Sequence, residues 1–162
     1  MDEPAEPGPG GTMDLKTPLR TVLANKSAGA THSVSPAMTV AGAVEVLNAN
    51  KVGSVLVMDG QRLVGIFTER DVLRRVVGAR KDPEKTRVAE VMTRELAVMK
   101  PGSTVEDAMT VISEKRIRHL PVVEDGRVVG VISQGDLNHW LIRNREVEVN
   151  QLVDYITGKY PA

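Results

Sequence analysis

Two hydrophobic periodicities, one helical and one extended, alternate along the chain, and the same succession of them is written twice. Behind Thr39, a residue type that favours a helix N-cap, Val40, Ala43, Val44 and Leu47 recur at helical spacing and predict an amphipathic helix to about residue 50. Residues 54–58 and 62–67 are aliphatic runs parted by Asp59-Gly60-Gln61, a short turn with a glycine, and predict a hairpin. Thr68 precedes Asp71 by three residues and opens a helix on Val72, Leu73, Val76 and Val77 that stops at Gly78. The charged stretch 78–86 contains Pro83 and reads as a linker. Beyond it come a short helix at 88–92 and a strand near 96–99. Thr104 and Asp107 then cap a helix bearing Val105, Ala108, Met109 and Ile112. A second hairpin, 120–123 with 127–132, turns at Glu124-Asp125-Gly126, and a helix with Leu137, Trp140, Leu141 and Ile142 follows Asp136.

Displacing the sequence by 65 residues aligns 36–77 with 101–142 without a gap, and ten of the 42 pairs are identical, Gly65/Gly130 and Asp71/Asp136 among them. Eleven of the other 32 pairs exchange one apolar residue for another. The chain is therefore a tandem duplication. Before the first repeat, Leu15, Leu19, Val22 and Leu23 predict a short amphipathic helix entered through Pro18, and 28–35 a loop and a short strand. Residues 1–12, rich in Pro, Gly and acid, read as a disordered leader. After the second repeat, Val149, Leu152, Val153 and Ile156 share one face of a terminal helix. The expected division is a leader at 1–12, repeat one with its lead-in helix at 13–80, repeat two with its lead-in helix at 81–142, and a helical tail at 143–162. Each repeat runs strand, helix, strand, strand, helix. The predicted class is α+β, two pseudo-symmetric β-α-β-β-α repeats packed through their sheets, since halves of about 50–60 residues bury little alone.

Composition narrows the function. Lys+Arg and Asp+Glu balance at 21 each, and one Trp, two Tyr and one Phe offer no stacking platform, so no nucleic-acid partner is expected. The absence of cysteine excludes disulfides, thiolate nucleophiles and Cys-ligated zinc. No apolar run approaches the roughly 20 residues of a membrane span, and no charged-then-apolar leader opens the chain. No membrane partner is expected, and the cytoplasm is the default location.

Candidate chemistry gathers at the two strand-to-helix junctions. Thr68-x-x-Asp71 and Ser133-x-x-Asp136 fit capping boxes with a short acid in place of Glu, and acid in a first turn also suits the helix dipole. Capping alone explains both aspartates. Alternatively each carboxylate accepts the two hydroxyls of a ribose, while free N–H groups and the hydroxyl of Thr68 or Ser133 receive a phosphate. Gly65 and Gly130 would let a ligand approach the backbone. The repeats differ in cations: Arg116, Arg118 and His119 stand where repeat one has Lys51, Gly53 and Ser54, and Arg70 stands where repeat two has Gly135. A first-turn arginine such as Arg70 opposes the dipole unless an anion is near, whereas Arg116 suits a helix end. His119 reads as a half-buried strand residue, His32 and His139 as scattered singles that do not make a zinc site, and Met92, Met99 and Met109 as core filler. No P-loop or GxSxG elbow is present, and no enzyme activity, metal or required cofactor is expected.

The repeat order, the Gly-aliphatic-aliphatic-Thr/Ser-x-x-Asp close of each copy, and Arg118-His119-Leu120-Pro121-Val122-Val123 in the second hairpin resemble a tandem pair of CBS domains, a Bateman module, over residues 15–142. Repeat one departs at Leu56, where the family usually has proline. Phe67-Thr68-Glu69-Arg70-Asp71 and the tail 155–160 are most similar to small stand-alone CBS-pair proteins. The resemblance implies a regulatory module that binds an adenine nucleotide, with AMP, ADP, ATP or NAD(H) as candidates, and acts in trans on an unidentified protein. The alternative is a scaffold that kept the fold without the ligand. The family arrangement also implies two clefts. In one, Thr68 and Asp71 face Ala97, Ile117 and Arg118; in the other, Ser133 and Asp136 face His32, Val52 and Gly53. Asp71 and Asp136 would hold ribose, the backbone-lined slots adenine, and Thr68, Arg70, Arg116, Arg118 and Ser133 phosphate. A homodimer is expected, through Val72, Val76, Leu137, Trp140 and Leu141 on the helices after the two aspartates and with the tail helix against the partner subunit.

Overall fold

The computed structural model describes residues 15–26 and 31–156, and of 146–148, 151, 152, 155 and 156 the backbone alone. The leader expected at 1–12, the last residues of the tail and the side chains of Leu152 and Ile156 lie outside the described residues.

Helix α1 (Leu19–Asn25) leads into β1 (Ser33–Val34), α2 (Val40–Asn50), β2 (Ser54–Asp59), β3 (Arg62–Thr68) and α3 (Glu69–Asp71). Without a break, α3 continues as a π-helical stretch, Val72–Val77. The second copy is α4 (Val88–Val91), α5 (Val105–Lys115), β4 (His119–Glu124), β5 (Arg127–Ser133) and α6 (Gln134–Ile156). Strand β1 pairs parallel with β2, and β2 antiparallel with β3. In the second copy β4 and β5 pair likewise, and the first strand shrinks to one parallel bridge between Met99 and Val122. Both hairpins carry a register shift at the same place, between Val57 and Met58 and between Val122 and Val123. Asp125 and Gly126, at φ 51° and 74°, make the tight second turn from two left-handed residues, which the strand twist favours.

The repeats are α+β as expected, but their cores are exchanged. One core joins Val34, Val40, Leu47, Val57 and Phe67 to Val88, Val91 and Met92 of the second copy's lead-in helix. The other joins Val105, Ile112, Leu120, Val122, Ile132 and Leu137 to Leu19 and Val22 of α1. Backbone bonds fix the crossing: Leu19 N–H donates to Ser103 O at 2.8 Å and Val105 N–H to Thr17 O at 2.9 Å, while Val88 N–H donates to Met38 O at 2.9 Å. A division at residue 80 therefore separates each lead-in helix from the core it completes. The two glycines serve this crossing rather than a ligand. A Cβ on Gly65 would stand 2.7 Å from Met92 Sδ and 3.0 Å from Thr93 O, and one on Gly130 would stand 2.7 Å from Leu23 Cδ2.

Three further expectations change. The last repeat helix and the tail helix are one, α6, because the charged stretch between them holds neither Pro nor Gly to stop it. The apolar face assigned to a dimer is largely internal: Val76 and Leu137 are each 1% exposed, and Val72, Trp140 and Leu141 pack against the cores. The outward residues are instead Leu73, Val77 and Ile142, at 65%, 63% and 58% exposure. Met92 and Met99 are buried as core filler should be, but Met109 lies at the surface.

Candidate functional site

Both strand-to-helix junctions are capping boxes. Thr68 N–H donates to Asp71 Oδ2 at 3.0 Å while Asp71 N–H donates back to Thr68 Oγ1 at 3.3 Å. At the second junction Ser133 N–H donates to Asp136 Oδ2 at 2.8 Å and Asp136 N–H to Ser133 Oγ at 3.0 Å. The first amide of each following helix is used as well: Glu69 N–H donates to Gly53 O at 3.1 Å and Gln134 N–H to Arg118 O at 2.9 Å.

Asp71 is 5% exposed and is held from several elements. Thr93, just past α4, donates its hydroxyl to Oδ1 at 3.1 Å, and Arg75 Nε lies 3.7 Å from the same oxygen. Arg75 Nη1 also donates to Val91 O at 3.2 Å and Met92 O at 2.8 Å, so one guanidinium closes the C-terminus of α4 and faces the aspartate. The π-helical register carries it there, with Gly78 N–H donating to Leu73 O at 2.8 Å across five residues.

Asp71 lies at the wall of an open cleft of about 250 Å³, just below the usual range for ligand sites. Ile66, Leu96, Ala97, Ile117 and Pro121 give it an aliphatic side, and Arg70, Arg74, Arg116 and Arg118 a cationic one. None of these four arginines is ion-paired among the described residues, and all four also border a second cleft of about 450 Å³ with Ser113, Gln134 and Asn138. Thr68, Arg70, Asp71, Ala97, Arg116, Ile117 and Arg118 are thus brought together. Gly53, expected opposite Asp136, lines this cleft, its carbonyl binding the first turn of α3. His32, Val52, Ser133 and Asp136 do not line it. Reasoning from sequence missed Arg74, Arg75 and Thr93. The 3.6-residue pattern hides the first two behind a π turn, and Thr93 belongs to a segment assigned to the other repeat. His119 also lines the cleft, and burial holds its imidazole below the ordinary value, with Lys26 and Arg118 adding to the effect and Asp136 and Glu69 opposing it.

The second aspartate has a different neighbour. Lys26, at the end of α1, places Nζ 2.9 Å from Asp136 Oδ2 and 3.0 Å from Val131 O. Burial pushes the Asp136 carboxyl up, and the bonds from Lys26 and Ser133 outweigh it, so the group sits below the ordinary carboxylate value. Among the described residues no group of three or more His, Cys, Asp or Glu could hold a metal ion, and no helix is long and apolar enough to cross a membrane.

Comparison with known proteins adds the following. A family model described as CBS domain matches residues 30–78 and again 88–143. The chain is 35% identical over 127 residues to the CBS domain-containing protein CBSX3, mitochondrial, of Arabidopsis thaliana, across 75% of this chain and 62% of that protein, less than two thirds of its length. It is 34% identical over 105 residues to the CBS domain-containing protein YhcV of Bacillus subtilis, across 65% of this chain and 74% of the relative. Among solved structures, the crystal structure of the CBS domain NE2398 is similar at 38% identity and a TM-score of 0.74, over 78% of this chain and 98% of that one.

Proposed function

Because the chain belongs to the CBS-domain family, as a tandem pair of its repeats, we propose that it is a sensor module that binds an adenine nucleotide in the Asp71 cleft and acts in trans on a partner protein. CBS repeats are regulatory modules, and the role proposed for this chain is regulation rather than catalysis. The observation that carries the reading is the meeting, in one cleft, of the Asp71 carboxylate, an aliphatic slot and four arginines without carboxylate partners among the described residues, a cationic excess over Glu69 and Glu95, which also line it. Adenine enters between Ala97, Leu96 and Ile117, the ribose hydroxyls donate to Asp71, and the phosphates meet Arg70, Arg74, Arg116 and Arg118. A bound nucleotide then regulates the partner only by favouring one of two conformations of the module. AMP, ADP, ATP and NAD(H) are the candidate ligands, the cytoplasm is the proposed location, and a homodimer joined through Leu73 and Val77 is the proposed assembly.

The test is a calorimetric and thermal-shift panel of AMP, ADP, ATP, NAD, NADH and GMP on the wild type and on Asp71→Ala. Saturation at 100 times the dissociation constant adds about 2.7 kcal/mol of stability. An adenine-selective shift, weakened at least about tenfold in Asp71→Ala, supports the reading; a flat panel ends it. A ligand-free scaffold for protein–protein interaction is the second reading, favoured by the near-complete burial of Asp71 and its use as a cap. Partner capture that is indifferent to added nucleotide would select it.

A further inference from the structure

The two aspartates stand in equivalent frames but meet different donors. Leu23 lies over Gly130 as Met92 lies over Gly65, so Ala24 is the counterpart of Thr93. In repeat one Thr93 makes two bonds, from its N–H to Ile66 O at 2.8 Å and from its hydroxyl to Asp71 Oδ1 at 3.1 Å. The counterpart acceptors in repeat two are Val131 O and Asp136. Ala24 has no hydroxyl, and the single ammonium of Lys26 reaches both acceptors, at 3.0 and 2.9 Å. A neutral donor at the first carboxylate is thus replaced by a cation at the second. The pair is partly withdrawn from water, with side-chain exposures of 33% for Lys26 and 21% for Asp136. Two of the four arginines of the first cleft have no cationic counterpart here, Gly53 corresponding to Arg118 and Gly135 to Arg70, while Lys51 keeps a cation at the position of Arg116 and His139 stands at that of Arg74.

We propose that Lys26 is the residue that makes the two aspartate sites unequal: by pairing with Asp136 it withholds the second carboxylate from a ribose, so that the chain takes one nucleotide and gains a second only when the lysine is removed. A ribose diol donates two hydrogen bonds and is held best by a carboxylate whose charge is not already met. At Asp136 the diol must first displace an ammonium that also satisfies a strand carbonyl. At Asp71 the ion pair is looser: Arg75 Nε lies 3.7 Å from Oδ1, and the guanidinium spends its Nη1 on the carbonyls of Val91 and Met92.

The inference rests on the proposed nucleotide reading, and the experiment separates the two. AMP and ATP are titrated calorimetrically into the wild type, Asp71→Ala, Lys26→Met, Lys26→Met with Asp136→Ala, and Lys26→Met with Asp71→Ala, each first checked for a cooperative melt. Lys26→Gln replaces Lys26→Met should the latter not fold. The expected stoichiometry is one per chain for wild type and two for Lys26→Met, falling back to one when either aspartate is also removed. A Lys26→Met stoichiometry that stays at one overturns the proposal. So does a wild type that already binds two, or a tenfold weaker affinity in Lys26→Met, which would make the lysine a ligand. Binding by Lys26→Met that requires Asp136, with none by wild type, upholds the role of Lys26 and ends the Asp71 reading. No binding by any variant ends both.

Discussion

The side chain with the most legible consequence is His119. Its folded-state value lies below that of an exposed histidine, chiefly through burial. Above about pH 6.5 the imidazole is neutral in both folded and unfolded chains, and nothing is lost. As pH falls below that point the unfolded chain takes up the proton first, so stability drops. The melting temperature should therefore decline as pH falls below about 6.5, and His119→Gln should remove that part of the slope. A slope unchanged by the substitution would place the titration elsewhere. Sequence placed His119 on a half-buried strand, which is where it lies, because the alternation of a hairpin strand is a local property. Both capping boxes were legible for the same reason: hydroxyl and acid stand three residues apart. Thr93 and Lys26 were not, since their acceptors lie 22 and 110 residues away and no spacing announces them.

Among the elements, the lead-in helices carry the main lesson. Periodicity found both of them but could not say which core each would complete, because an apolar stripe specifies burial and not an address. The glycines beneath them test the exchange. Gly65→Ala drives a Cβ against Met92 Sδ and the fixed carbonyl of Thr93, and overpacking of this kind costs about 1–3 kcal/mol. Gly130→Ala meets only Leu23, whose side-chain end can turn away, so its loss should be the smaller in a denaturant titration. Gly65→Ala should also weaken nucleotide binding, since Thr93 positions Asp71. The π-helical stretch was read as an ordinary helix stopping at Gly78, because residue pattern does not distinguish the two registers. Its contribution is to present Arg75 to α4. Arg75→Ala leaves two helix-end carbonyls without that donor and should cost about 1.5 kcal/mol, and Arg75→Lys should not restore it, because a lysine lacks the forked geometry.

At the scale of the molecule, the duplication and the hairpin pairs followed from the 65-residue offset, while the direction of the outer faces did not. Helix periodicity alone predicted Val76 and Leu137 at a subunit interface, yet each closes its own core, leaving Leu73 and Val77 outward. Light scattering should give twice the chain mass for the wild type and the single-chain mass for Leu73→Lys with Val77→Lys, with little change in melting temperature, since both residues face solvent in the single chain. A double variant that keeps the wild-type mass would move the interface off this face.

The crossing of α1 and α4 also bears on how such a chain can arise. A lone repeat carries a lead-in helix shaped for a core it does not own, and its own core lacks a cover. Such a half could close only by trading helices with another copy of itself, at a yield that depends on concentration. The duplicated chain has the topology of such a swapped pair made continuous, with the linker at 78–86 joining one repeat to the next. Its two halves are consequently not modules that recombination could shuffle one at a time. Whatever inherits this unit must inherit both repeats together.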